Sequence, residues 1–164
     1  MYSRYHLPTN TLYLTGEVCE AMTAELYSHL GKLVARGNPT IVLNTQGGDF
    51  YQALAMYDII KFQHDDFTIV GSGNVMSAGM IILQAAKYRV TFENTQFMIH
   101  YGEDSNMSAD SAKHNARMFQ LMKDIVGSRA NVKSRTLNSW FKADTFFNAK
   151  EAIARGLVDR MAGS

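Results

Sequence analysis

Three residues stand where acyl-transfer chemistry could be built: Ser77, His100 and Asp144. A serine hydroxyl is a poor nucleophile until a neighbouring base takes its proton, and histidine is the base whose ordinary pKa suits neutral pH. An acid must then hold that ring in one orientation. Ser77 lies in Gly71–Gly79 (GSGNVMSAG), where small neighbours leave its hydroxyl accessible. Its plain alternative role is a helix N-cap, the commonest use of a serine there. Its functional role would set the amides of the following helix beside a developing oxyanion. His100 ends the apolar run Phe97–Met98–Ile99, although with five histidines in the chain one such placement can be ordinary surface chemistry. Asp144 is followed by Thr145, Phe146 and Phe147, which predicts a partly buried carboxyl. Its plain role is capping the next helix, and Asp58, Asp104 and Asp159 compete for the orienting position. A fourth feature is Gly47–Gly48 after Asn44–Thr45–Gln46, which reads either as an ordinary strand-to-helix turn or as backbone amides facing a cavity. Two better-known motifs fail. Val75 occupies the first glycine position of Gly-x-Ser-x-Gly, and the last glycine of a dinucleotide fingerprint is missing after Gly71 and Gly73.

These residues need elements to position them. Strands are predicted at Thr11–Thr15, Thr40–Asn44, Phe67–Gly71, Tyr88–Phe92 and Gln96–His100. Helices are predicted at Ala21–Ala35, closed by Gly37, and at Phe50–Lys61 and Ser77–Ala86. Strands alternating with helices over short connections argue for an α/β fold with parallel pairing, because a parallel pair requires a crossover. Beyond a polar loop at Gly102–Asn106, Ser108–Ser139 reads as a long helical stretch with Met118, Leu121, Met122, Ile125 and Val126 on one face. It is either a projecting helix or one more cover for the core. A short helix at Asn148–Arg155, closed by Gly156, and a strand at Leu157–Val158 end the chain.

Composition narrows the function. The 164 residues suit one domain, and 16 basic against 15 acidic residues give a net charge of +1, which offers no footprint for nucleic acid or an anionic membrane. No apolar run is long enough to span a membrane, and Met1–Asn10 lacks a signal peptide's apolar core. One cysteine, Cys19, and no zinc-ligand spacing imply a reducing, cytoplasmic setting with no metal and no cofactor. Ten methionines and 46% hydrophobic residues are rich for so small a domain and suggest apolar surface covered by further copies.

Taken in order, the motifs resemble the proteolytic subunit of Clp protease (ClpP-like) from Tyr13 to about Met161. Leu14–Thr15–Gly16 matches the family's Leu-Thr-Gly, and Asn44–Gly48 its Asn-Ser-Pro-Gly-Gly. Tyr57–Asp58 matches its Tyr-Asp pair, and Met76–Ser77–Ala78–Gly79 its Ala-Ser-Met-Gly. Asn94 through Met98–Ile99–His100 matches Asn-Ser-x-x-Met-Ile-His, and Asp144 through Asp159 matches the segment that carries the family's aspartate.

The resemblance implies a serine endopeptidase with Ser77 as nucleophile, His100 as base and acid, and Asp144 as orienting acid. The amides of Gly48 and Ala78 would form the oxyanion hole. It implies one peptidase domain over residues 1–164 with the repeated ββα units shared by Clp peptidases and crotonases. The head would take residues 1–100 and 140–164, and the handle residues 103–139. It further implies homo-oligomeric rings of seven, single or stacked, enclosing a chamber that admits unfolded polypeptides or short peptides, with an AAA+ unfoldase as a possible partner. Some features depart from the family. Tyr101–Gly102–Glu103–Asp104 replaces Gln-Pro and glycines after the histidine, the span from His100 to Asp144 is shorter, and little chain precedes the first strand. Thr40 and Val42 also stand where many relatives carry aromatics that dock the ATPase. These departures bear on ring stacking, the substrate-aligning strand and ATPase coupling, which the resemblance leaves open. A crotonase-type acyl-CoA hydratase or isomerase would not need Ser77, His100 and Asp144 together, and a non-catalytic or latent ring-forming subunit would hold the same fold without productive geometry.

Overall fold

The computed structural model describes residues 2–63, 66–101 and 109–163. An antiparallel hairpin opens the chain: β1 (Tyr2–His6), a 3-10 turn (Leu7–Thr9) and β2 (Thr11–Thr15). Next come α1 (Glu20–Ala35), β3 (Thr40–Thr45), α2 (Phe50–Phe62), β4 (Thr68–Met76), α3 (Ala78–Gln84) and β5 (Tyr88–Thr91), with β2, β3, β4 and β5 pairing in parallel. In β2 the pleat alternates as the sequence pattern requires, with Leu12 and Leu14 buried and Tyr13 out. Helix α3 is buried along all seven residues and forms the centre of the core.

β4 changes partner halfway along. Thr68–Gly71 pairs with β5, whereas Asn74–Met76 pairs with β6 (Gln96–Ile99). The switch falls at Gly71–Ser72–Gly73, where Gly73 has φ of 65° and a Cβ there would meet the Asn44 side chain at 3.0 Å. β6 pairs on its other side with β7 (Thr145–Asn148), antiparallel. α6 (Ala149–Ala154) follows, its start closed by a reciprocal pair in which the Asn148 side chain accepts from the Glu151 amide and Glu151 accepts from the Asn148 amide. β8 (Arg160–Met161), the last strand, lies beside β5.

Several expectations are corrected. Leu157–Val158 is buried but is not a strand; the strand is Arg160–Met161, where Asp159 and Ala162 bond to β5. The stretch read as one helix over Ser108–Ser139 is two, α4 (Ala109–Gly127) and α5 (Ser134–Trp140), separated by a turn that packs back on the chain end. Its amides are used there: Asn131 N–H donates to the Arg155 carbonyl at 2.7 Å, and Gly127 lies so close to Leu137 that a Cβ would meet it at 2.4 Å. Met122, Ile125 and Val126 of α4 are buried, while Leu121 is exposed, so the C-terminal half of the helix does cover the core. Ser108, the 102–106 loop and Asp104 lie outside the described residues. β1 and β7 were not foreseen as strands.

At the sheet end opposite Ser77, Arg89 is buried and holds Gln84 Oε1 at 2.6 Å and the Gly156 carbonyl at 2.8 Å, and it pairs with Asp159. Arg129, just beyond α4, reaches the same carboxylate at 3.0 Å and the Ala86 carbonyl at 2.6 Å. Burial works to raise the Asp159 carboxyl, but the hydrogen bonds and charges of Arg89 and Arg129 outweigh it and hold the group below the usual carboxylate range. Among the described residues, no helix is long and apolar enough to cross a membrane.

Candidate active site

The two ladders flanking β6 bring the three sequence candidates together. On one side, Asn74, Val75 and Met76 pair with Gln96, Phe97 and Met98, and the next amide, Ser77 N–H, donates to the Met98 carbonyl at 2.9 Å. On the other side, Phe97, Met98 and Ile99 face Phe147, Phe146 and Thr145, so the next antiparallel pair in that register is His100 with Asp144. Directly opposed residues in such a pair have Cβ atoms about 5 Å apart. His100, one residue past β6, therefore stands between a serine delivered by a parallel strand and an acid delivered by an antiparallel one.

The side chains connect. His100 Nε2 lies 2.8 Å from Ser77 Oγ, and His100 Nδ1 lies 2.9 Å from Asp144 Oδ1. An ionised carboxylate can only accept, so Nδ1 carries the proton, and Nε2 of the neutral ring then accepts from the Ser77 hydroxyl. Ser77 is not an N-cap in the usual sense: its side chain makes no capping bond, and its backbone sits at φ 52°, ψ −120°. That conformation costs a non-glycine residue about 1–3 kcal/mol. The sharp strand-to-helix turn that Gly-x-Ser-x-Gly usually provides is thus formed here with Val75 in place of the first glycine. Asp144 departs from expectation. Its side chain is 61% exposed: of the two aromatic residues after it only Phe147 is buried, Phe146 faces outward from β7, and the carboxyl stays at the rim. His100 is 29% exposed.

The glycine pair packs onto this turn. Gly47 has φ of 103°, and a Cβ on it would stand 2.7 Å from Ser77 Cβ and 3.2 Å from the Ala78 nitrogen. Its amide donates to Thr45 Oγ1 at 3.0 Å, and its carbonyl accepts from Val18 at 2.8 Å. Gly48 is pressed on Val18, where a Cβ would meet the carbonyl at 2.4 Å. Among the described residues, no hydrogen bond from the Gly48 or Ala78 amide is found. A cleft of about 610 Å³ opens beside the pair, with Glu17, Asn44, Gln46 and Asn74 on its walls. A hydroxyl bonded to a neutral imidazole, with unengaged amides on the two segments that meet at it, can support attack on a carbonyl and stabilise the resulting oxyanion.

A family model for Clp protease matches residues 2–164. The chain belongs to the Clp protease family. Within that family it is 27% identical to the ATP-dependent Clp protease proteolytic subunit of Carsonella ruddii, over 98% of this chain and 87% of that one. It is also 27% identical to ATP-dependent Clp protease proteolytic subunit 2 of Pseudomonas aeruginosa, over 96% and 83%. Its fold matches a solved ClpP1 mutant from Listeria monocytogenes with a TM-score of 0.87 and 26% identity, covering 96% of this chain and 94% of the other. The α/β architecture expected from the resemblance is thus that of a Clp protease subunit.

Of the competing acids, Asp159 is engaged by Arg89 and Arg129 at the far end of the sheet, and Asp58 is exposed on α2. Two contributors escaped the sequence reading. Thr45, buried, holds Gly47, and Tyr101 bonds to the segment that carries Asp144. Neither residue type carries a signal of its own in the chain. Among the described residues, no group of three or more His, Cys, Asp and Glu side chains could hold a metal ion.

Proposed function

We propose that this Clp protease family member is a serine endopeptidase that cleaves unfolded polypeptides or short peptides, its whole length forming one peptidase domain. The observation that carries this reading is the continuous chain Ser77 Oγ, His100 Nε2, His100 Nδ1, Asp144 Oδ1, with links of 2.8 and 2.9 Å. His100 takes the Ser77 proton as Oγ attacks the scissile carbonyl. The Gly48 and Ala78 amides bear the oxyanion, and His100 passes the proton to the leaving amine. Water, deprotonated by the same ring, then releases the acyl group and restores Ser77.

Self-assembly into seven-membered rings, single or stacked, is proposed as the setting. The names of the relatives describe subunits, and this chain leaves Tyr13, Tyr88, Phe92 and Phe146 exposed. An ATP-dependent unfoldase is a proposed second partner on the strength of those names, and the cytoplasm a proposed location. The exposure of Asp144 favours a second reading, a latent subunit whose acid is secured only on assembly.

Labelling with a fluorophosphonate serine-hydrolase probe, resolved by native mass, tests both. The peptidase reading expects one adduct per subunit in a ring, lost in Ser77→Ala with assembly retained. An unlabelled ring sinks it and leaves the latent subunit.

A further inference from the structure

We propose that Tyr101 is a positioning residue that clamps the segment bearing Asp144 to His100 and ties both to helix α4; the role rests on the peptidase reading of Ser77, His100 and Asp144. The Asp144 segment is held on one side by β7, whose ladder with β6 ends at Ile99 and Thr145. On its other side it leaves the core at Phe141, which is buried, and between these anchors Lys142, Ala143 and Asp144 run along the surface. Beyond local bonds from Lys142 N–H to the Ser139 carbonyl and from Thr145 Oγ1 to the Ala143 carbonyl, this exposed loop has little burial to fix the carboxyl.

Tyr101 supplies the missing restraint. Its N–H donates to the Phe141 carbonyl at 3.2 Å, closing the short loop directly behind His100. Its ring meets Phe119 of α4 edge-on at 4.5 Å, Phe119 meets Phe141 edge-on at 5.7 Å, and the Tyr101 hydroxyl donates to the Asn115 carbonyl of α4 at 2.8 Å. One residue therefore links the position after the base to the anchor before the acid through its backbone, and ties both to α4 through its ring and hydroxyl. A second contact, Tyr51 Oη with His114 Nε2 at 2.5 Å, holds the same stretch of α4 to the start of α2, just after the glycine pair. Displacement of a reacting group by about 1 Å can cost about a hundredfold in rate, so a loop left unclamped at this point should be felt as chemistry before it is felt as unfolding.

The test compares the full-length protein with Tyr101→Phe, Tyr101→Ala and Phe119→Leu. It reads fluorophosphonate labelling at saturating probe and the His100 Nδ1–H resonance in ¹⁵N-histidine-labelled protein, with melting temperature and native mass alongside. Tyr101→Ala is expected to slow labelling about 30- to 100-fold and to lose or broaden the Nδ1–H signal, with assembly kept. Tyr101→Phe, which keeps the ring and the backbone clamp, is expected to stay within about threefold of the parent, and Phe119→Leu to fall between them. If Tyr101→Ala does not fold, Phe119→Leu decides by itself. An unchanged Nδ1–H signal in the folded variants overturns the clamp whether or not the parent protein is labelled. Absence of labelling at Ser77 in the parent overturns the peptidase reading instead.

Discussion

The two halves of the candidate site are built on opposite principles. The nucleophile half is a piece of the core: Ser77 follows a strand paired on both sides, opens a helix buried along its whole length, and has Gly47 packed against its Cβ. The acid half is a rim. Asp144 is largely exposed, and its segment is held by a two-sided restraint from β7 and Tyr101. Close packing resists displacement because any shift makes contacts that cannot be relieved. A surface loop yields at much smaller cost. The difference teaches that errors in the first half should be all-or-none, whereas errors in the second should be graded and open to tuning by whatever sits on the rim.

Gly47→Ala should show the first half at its strictest. The added Cβ has φ of 103° against it and Ser77 Cβ 2.7 Å away, so either the turn or the glycine segment must move. Fluorophosphonate labelling should fall about a thousandfold, consistent with loss of a positioned nucleophile together with an oxyanion donor. Labelling within tenfold of the parent would mean the turn is softer than its packing suggests. Asp144→Asn should cost less, about a hundredfold, because it disturbs the tautomer of His100 at a place where water can partly stand in for the lost acceptor. A loss as deep as that of Gly47→Ala would erase the contrast and argue that assembly buries the acid. The smallest effect is expected from Ser77→Gly, read as stability. Relief of the positive φ, set against the extra backbone freedom of glycine, should raise stability by about 1 kcal/mol and the melting temperature by about 2–4 °C. A lower melting temperature would show that the serine turn is not strained.

Legibility in the sequence divides along the same line. The parallel core was readable because Leu12, Leu14, Ile41, Leu43 and Ile69 carry a burial pattern with period two, and because the helices between them are long enough to show their own period. β7 was not readable: Thr145–Asn148 is four residues long and looks like the approach to a helix, and its strand character comes from pairing with β6. With it went the environment of Asp144, since aromatic neighbours in sequence alternate between faces of a strand and say nothing about the carboxyl before them. The break between α4 and α5 was hidden for a similar reason. Asn131 and Gly127 are answered by Arg155 and Leu137, partners far along or across the chain that no local pattern announces.

By itself, then, the sequence determined which residues could do the chemistry and the order of the elements that carry them, because motif spacing and hydrophobic period are properties of the chain alone. Only the tertiary structure decided that His100 faces Ser77 on one side and Asp144 on the other, since that depends on the register of two ladders meeting at one short strand. It alone decided, too, that one half of the site is locked in the core and the other held at the rim, because burial and clamping are set by residues distant in sequence that meet only when the chain is folded.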